Sequence, residues 1–289
     1  MKKIINDPLA VIEESLTGLM YANKGFYEKV PEVNGIVMKK KKRKVSIISG
    51  GGSGHEPMLS GLVGEGMLDG AAMGSVFASP DPNTISKTIV AADAGEGVLC
   101  LVWNYAGDTM NFMVAQDLAL MDGVTVDQVI VCDDVASAPK EDKEGRRGVA
   151  GMLFVVKTAA AAAEEGYSLE EVKRVALKAN ENTRSIGIAL TACSIPGNAP
   201  NFEIGEDEFE YGMGIHGEPG IRREKMKPAD EIVEEMANDI LKDFENLEGK
   251  QVVLFVNGMA ATTSLELNII NKKINEILQK KILKFMTIL

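Results

Sequence analysis

Three short apolar runs constrain this chain most: Val45–Ser49 (VSIIS), Val98–Trp103 (VLCLVW) and Val129–Cys132 (VIVC). Each is too short for a buried helix, rich in β-branched residues, and apolar on both faces rather than alternating. Strands of that kind are covered on both sides, the condition of a parallel sheet flanked by helices. Helical periodicity follows or separates them over Asn83–Ala94, Met110–Met121 and Gly148–Glu165. Gly166 ends the last of these, and Ser168 with Glu171 predicts a capping box that opens another helix to about Asn180. This alternation is an α/β pattern.

A second unit is expected from about Ser185. It reads as a strand over 186–193, a loop with Pro196 and Pro200, an acidic stretch Glu203–Glu210 and a glycine-rich segment YGMGIHGEPG. A helix from about Pro228 to Leu247, a strand Gln251–Val256 and a last helix over Leu265–Leu278 follow. The expected architecture is two α/β domains, with mainly parallel or mixed sheets flanked by helices: residues 1–183, and a second, shortened domain over 184–289. A length of 289 residues suits that division, and no internal repeat interrupts it.

The net charge of −11 repels phosphate backbones, which argues against nucleic acid as a partner. The basic run Lys39–Lys44 is the local exception. With no aromatic residues interleaved, it reads as a solvated loop before a strand. Cys100, Cys132 and Cys193 are too widely spaced for a metal or redox pair. The N-terminus lacks the apolar core of a signal peptide and no stretch is long enough to span a bilayer, so a cytoplasmic protein without membrane contact is expected.

Three loops carry the residues capable of chemistry. The first, Ser49-Gly50-Gly51-Gly52-Ser53-Gly54-His55-Glu56-Pro57, stands at the carboxyl end of a strand, where open α/β sheets bind ligands. It matches neither phosphate-loop template, having no Gly-Lys-Ser/Thr and Pro57 in place of the last Gly of GxGxxG, which disfavours a dinucleotide oxidoreductase. The second, Asn104–Thr109, contains Asp108, which reads equally as a helix N-cap or as a general base toward a ligand hydroxyl. The third, Gly212–Gly220, contains His216. The chain has only two histidines, His55 and His216, and both are followed by Glu-Pro in a glycine-rich turn. That coincidence points to one small-molecule site. A metal is disfavoured, since no HxH or HExxH spacing is present. A neutral imidazole can instead add to a ketone as a nucleophile, giving a hemiaminal that excludes polyols of similar shape.

The segments ISGGGSGHEP, GSVFASP, NYAGDTMNF, DDVA, GRRGVAG, NENTRSIGIAL, GEDEFEYGMGIHGEPG and VNGM together resemble the substrate-binding K subunit of dihydroxyacetone (glycerone) kinase. The resemblance implies a homodimer of two-domain chains holding dihydroxyacetone as a hemiaminal. His216 would be bonded to the ketone carbon, Asp108 would act as base for the phosphorylated hydroxyl, and His55 would be hydrogen-bonded to substrate. Gly52, Ser53 and Gly54 would line the pocket, with Trp103 beside them. It also implies that this chain binds no cofactor of its own. Mg-ADP or Mg-ATP would be carried by a separate nucleotide-binding L subunit, rephosphorylated in many bacteria by a phosphotransferase-system component.

The chain departs from that family in three places. Trp103 stands where lysine is usual before Asn-Tyr-x-Gly-Asp. The turn after VNGM reads Ala260-Ala261-Thr262-Thr263-Ser264 in place of a Gly- and Pro-containing turn. The resemblance would extend a few dozen residues past Leu289, and the ending KKILKFMTIL reads as an unrelated tail, an apolar helix end without a partner strand. Paralogues of this subunit act as transcriptional coactivators that sense dihydroxyacetone through the same histidine, so a ligand sensor is the alternative to a kinase subunit.

Overall fold

The computed structural model describes residues 3–200, 202–259, 261–281 and 284–288. The chain divides into two compact units that interleave in sequence. The first comprises Met1–Asp133, Arg147–Thr183 and Cys193–Asn201, and the second Asp134–Arg146, Arg184–Ala192 and Phe202–Leu289. A single division at residue 183 therefore misses two exchanges of chain. The first has a visible cause: Val135 N–H donates to the Ser185 carbonyl at 3.0 Å, and Arg146 is tied to Asp243, so 134–146 goes with the second unit.

In the first unit α1 (Val11–Ala22), β1 (Tyr27–Lys29), β2 (Gly35–Met38), β3 (Ser46–Ser53) and β4 (Gly70–Val76) lead into α2 (Pro82–Ala92). Then come β5 (Val98–Trp103), α3 (Ala106–Met121), β6 (Val126–Val131), α4 (Met152–Glu164) and α5 (Leu169–Glu181). The sheet order is β1-β2-β4-β3-β5-β6. The neighbours β4, β3, β5 and β6 are parallel, while β1 and β2 are antiparallel additions. Ile48, Val98 and Val102 of the sheet pack with Ile85 and Ile89 of α2 and Phe112 of α3, which is the buried two-faced sheet that the apolar runs require.

Strand β3 does not stop at Ser49 but continues through the glycines to Ser53, buried throughout. The glycines are thus strand rather than loop, and the reason is steric. A Cβ on Gly52 would lie 2.6 Å from the Ala78 nitrogen, and one on Gly74, opposite it on β4, 2.1 Å from the Ala78 oxygen. The turn after β4 folds back too closely for any side chain there.

Other boundaries move for local reasons. Helix α4 starts at Met152, not Gly148, because the buried Asp133 carboxylate accepts the N–H groups of Val149 and Gly151, both at 2.8 Å, and holds the preceding residues in a turn. At α5 only half of the capping box forms. Ser168 accepts the Glu171 N–H, but the Glu171 carboxylate pairs with Arg174 at 2.9 Å. The basic run is exposed through Arg43, whereas Lys44 is buried against Asp69 at 2.6 Å.

In the second unit β7 (Ile188–Ala189), β8 (Glu208–Tyr211) and β9 (Arg222–Lys225) form an antiparallel sheet, followed by α6 (Ala229–Lys242), β10 (Gln251–Phe255), α7 (Ser264–Lys280) and β11 (Lys284–Ile288). Phe209 and Tyr211 of β8 pack on Ile232 and Met236 of α6. The strand expected over 186–193 shrinks to two residues, and the helix expected to reach Leu247 ends at Lys242. The C-terminal tail is also corrected. Lys284–Ile288 is a strand parallel to β10, so β10-α7-β11 is a complete crossover unit rather than a helix lacking its strand. The departing turn has a role too: Thr263 and Glu266 form a reciprocal capping box at the start of α7, while Ala260 lies outside the described residues.

Arg146 is almost fully buried and donates twice to Asp243, at 2.7 and 2.9 Å, and once to the Ala138 carbonyl at 3.0 Å. Arg184 donates to the same carboxylate. The bonds from Arg146, followed by those from Arg184, outweigh burial and hold the Asp243 carboxyl far below its usual range. A depressed carboxyl stabilises the fold fully above its unfolded pKa of about 4, and that contribution is lost as pH falls toward the folded value. Asp243→Asn leaves two buried guanidinium groups facing a neutral amide and is expected to lose roughly 3–5 kcal/mol. Urea denaturation measures the loss, and the variant's unfolding midpoint should depend less on pH below about 4 than that of the parent.

Candidate functional site

Because β4 and β5 pair on opposite sides of β3, the chain turns outward in both directions from β3. The crevice at the carboxyl ends of such strands is the ligand-binding position of an open α/β sheet. The segment Gly54–Pro57 leaves β3 at that end, and Asn104–Tyr105 leads there from β5 into α3.

The strand end is pinned to the turn after β4. Ser53 Oγ donates to the Gly74 carbonyl at 2.8 Å, and the Phe77 N–H donates to the Ser53 carbonyl at 2.9 Å. Gly54 has φ +103°, and a Cβ on it would come within 2.8 Å of the Phe77 ring. His55, half-buried, makes ring contacts with Phe77 (centroids 5.0 Å apart, planes at 43°) and with Trp103 (5.6 Å, 56°). Phe77 itself has φ +57°, a left-handed conformation that costs an aromatic residue roughly 1–3 kcal/mol and persists only where its surroundings over-determine it. Here those surroundings are the Ser53 carbonyl and the His55 ring. Trp103 ends β5 fully buried, and its indole N–H has no hydrogen-bond partner among the described residues.

Asp108 is buried in the first turn of α3. It is not the N-cap, as local sequence allowed. Tyr105 holds that position without a side-chain bond, and Asp108 lies three residues further on. The partial positive charge at the start of α3 favours a carboxylate there. Asn111 anchors this end of the helix to the turn after β4, donating to the Pro80 carbonyl at 2.9 Å and to Ser79 Oγ at 3.2 Å. The turn 77–80 thus touches β3, His55 and α3 at once. Within the first unit the structure brings Gly52, Ser53, Gly54, His55 and Trp103 together, with Asp108 on the helix that follows the same strand end.

His216 belongs to the second unit, in the loop that joins β8 to β9. The loop is closed by bonds from Gly212 N–H to the Gly187 carbonyl (2.8 Å), Gly214 N–H to the Glu218 carbonyl (3.1 Å) and Gly220 N–H to the Glu210 carboxylate (3.2 Å). Glu218 accepts twice from His216, from its backbone N–H at 3.0 Å and at Nδ1 across 3.2 Å. Burial pushes the Glu218 carboxyl up. Hydrogen bonds from the His216 ring and from the Glu218 and His216 backbones more than reverse this and lower it to about 2. Glu218 is therefore ionised at neutral pH. In the tautomer whose Nδ1–H donates to this carboxylate, the imidazole lone pair lies on Nε2. Among the described residues no three His, Cys, Asp or Glu side chains converge as a metal site would require.

Sequence reasoning passed over Phe77 and Glu218. Phe77 lay within GSVFASP, but a strained aromatic leaves no periodic signature. For Glu218 a signal existed in the Glu-Pro after each histidine. Both carboxylates accept the N–H two residues upstream, Glu56 from Gly54 at 2.9 Å and Glu218 from His216.

A model of the Dak1 domain matches residues 17–289. The PTS-dependent dihydroxyacetone kinase, dihydroxyacetone-binding subunit DhaK, of Lactococcus lactis is 44% identical over 296 residues, covering 99% of this chain and 89% of that protein. Among solved structures, the dihydroxyacetone kinase from C. freundii in complex with AMP-PNP and Mg2+ superposes with a TM-score of 0.89 at 31% identity, covering 97% of this chain. The chain spans only 52% of that kinase. The dihydroxyacetone kinase operon co-activator Dha-DhaQ gives a TM-score of 0.87 at 32% identity, covering 95% and 85% of the two chains. Sequence and fold agree over nearly the whole length, and by that agreement the chain belongs to the Dak1 domain family.

Proposed function

We propose that this chain is the dihydroxyacetone-binding subunit of a two-component dihydroxyacetone kinase. In this reading His216 holds the ketone as a hemiaminal, and a separate nucleotide-carrying L subunit supplies the phosphoryl group. The observation that carries it is the His216–Glu218 pair, which leaves the imidazole lone pair on Nε2. That lone pair adds to the ketone carbon, the carbonyl π electrons move to oxygen, and the oxygen takes a proton from solvent. His55, steadied by Phe77 and Trp103, donates to the bound ligand, and Gly52, Ser53 and Gly54 line its pocket. Asp108 accepts the proton of the terminal hydroxyl as it attacks phosphorus. The naming of the Lactococcus lactis relative supports the substrate. The missing phosphate-loop motif, and the naming of the Lactococcus lactis relative as a dihydroxyacetone-binding subunit, support a partner that carries Mg-ADP or Mg-ATP. A phosphotransferase-system protein would recharge that partner, and the compartment proposed is the cytoplasm. No helix among the described residues is long and apolar enough to cross a membrane.

Trp103 favours a second reading. It removes the lysine charge usual at this strand end, and the co-activator Dha-DhaQ shares the fold, so a dihydroxyacetone sensor without turnover is the alternative. Mixing the chain with nucleotide-loaded L subunit and dihydroxyacetone separates the two. Triose phosphate is expected from the kinase subunit, and a protein mass increase without product from the sensor. His216→Ala should abolish the mass increase in either case.

Asp108→Asn keeps the shape of the side chain but not its basicity. Turnover is expected to fall roughly 10²- to 10⁴-fold while the adduct on His216 still forms, as steady-state rates and intact-protein mass spectrometry would show.

The reading includes a homodimer, supported by the exposed apolar stripe of Met110, Met113, Val114, Leu118 and Met121 along one side of α3. Met113→Glu is expected to shift the chain from dimer toward monomer in sedimentation velocity, with the circular dichroism spectrum unchanged.

A further inference from the structure

Each carboxylate oxygen of Glu218 meets one nitrogen of His216. The side chains of Glu218 and His216 are one-third and one-fifth exposed, so the pair is neither lost in the core nor loose in solvent. The loop gives the carboxylate two donors from one residue, the backbone N–H and the ring nitrogen of His216. Gripping both ends of the residue fixes the backbone of the loop tip and the plane of the ring together. The sheet β7-β8-β9 is held by its own pairing, by Tyr211 bonded to Asp239 and by Arg222 over the Tyr211 ring, none of which involves Glu218.

We propose that Glu218 is a positioning residue for covalent capture of the ketone: it holds the proton on Nδ1 of His216 and then stabilises the imidazolium that capture creates. This inference rests on the hemiaminal reading above and adds a role to it. The electron count shows why a carboxylate belongs there. A neutral imidazole protonated at Nδ1 attacks through the Nε2 lone pair, so the new C–N bond leaves the ring with one positive charge while oxygen takes a proton from solvent. The charge is delocalised to Nδ1–H, which already points at Glu218. If the ring then releases that proton, Glu218 or water beyond it accepts it, and the hemiaminal becomes neutral. With Nε2 protonated instead, no lone pair would face the ketone and no addition could begin. Because the carboxyl is held at about 2, Glu218 remains an anionic acceptor beside the ring over the whole neutral range.

The test uses the full chain labelled with ¹⁵N-histidine. It contains only two imidazoles, and the His216→Ala spectrum identifies the ring in question. Without ligand at pH 7, His216 should show the Nδ1–H tautomer in the parent. In Glu218→Ala it should revert toward the Nε2–H form usual for free histidine, and the apparent affinity for dihydroxyacetone should fall about tenfold to a hundredfold, the scale of one charge-assisted hydrogen bond. Glu218→Gln guards against a variant that misfolds. Its amide oxygen can keep the Nδ1–H tautomer but offers no charge, so the tautomer should persist while the adduct weakens. An Nε2–H tautomer in the parent, or unchanged adduct affinity in both variants, overturns the proposal. If the parent forms no adduct at all, the hemiaminal reading fails and the imidazolium role falls with it. The ligand-free tautomer still decides whether Glu218 orients the ring.

Discussion

The first unit depends on a strand that carries no side chains where it meets its neighbour. At Gly50 β3 runs so close to β4, and at Gly52 so close to the returning turn at Phe77–Ala78, that a methyl group would be driven into backbone. That closeness lets one turn reach three elements. It caps the end of β3 through the Ser53–Phe77 bond, lays the Phe77 ring against His55, and ties the first turn of α3 through Asn111. A site placed by a steric requirement of this kind is rigid without needing charge. The strain in Phe77 is stored where the His55 ring is held, the pattern expected of a preorganised site.

The second unit is organised differently, by ionised carboxylates that are each gripped more than once. Asp243 joins Arg146 and Arg184, and so draws 134–146 into this unit; Glu218 closes the His216 loop on itself. Both carboxyls are held below their ordinary values, and for the same reason. Several donors converge on an anion that is partly removed from water. Asp243 holds a fold together, whereas Glu218 holds one loop and the ring of His216 within it. The same physics serves stability in the first case and, in the role proposed here, chemistry in the second.

What could be read in the sequence follows from which forces leave a pattern. Strands β5 and β6 and the first half of β3 were legible because burial on both faces demands β-branched runs. Strand β4, Gly70–Val76, was not, since its small residues answer to close packing and look like a loop by propensity. Strand β11 was missed for another reason: its partner β10 lies across a whole helix, and the pairing leaves no trace in local composition. The start of α4 depended on Asp133, distant in sequence from the N–H groups it accepts. At the site, two histidines in glycine-rich turns stood out against a chain that contains no others. Phe77 did not, because strain is a property of coordinates rather than of residue type.

In the reading proposed above, holding a ketone and transferring phosphate make separate demands, and Trp103 bears on both. Addition to a carbonyl needs a correctly protonated imidazole, which Glu218 would supply, and a shaped wall, to which an indole is well suited. Phosphoryl transfer needs positive charge near the transferring oxygens as well as position. A lysine at the end of β5 could serve the second demand, whereas the indole offers one N–H and an apolar face against His55. The buried indole N–H, without a hydrogen-bond partner among the described residues, carries a desolvation cost on the order of 1–3 kcal/mol. In the kinase reading proposed above, the nucleotide-carrying partner would supply positive charge that Trp103 does not, and turnover would then be a property of the complex.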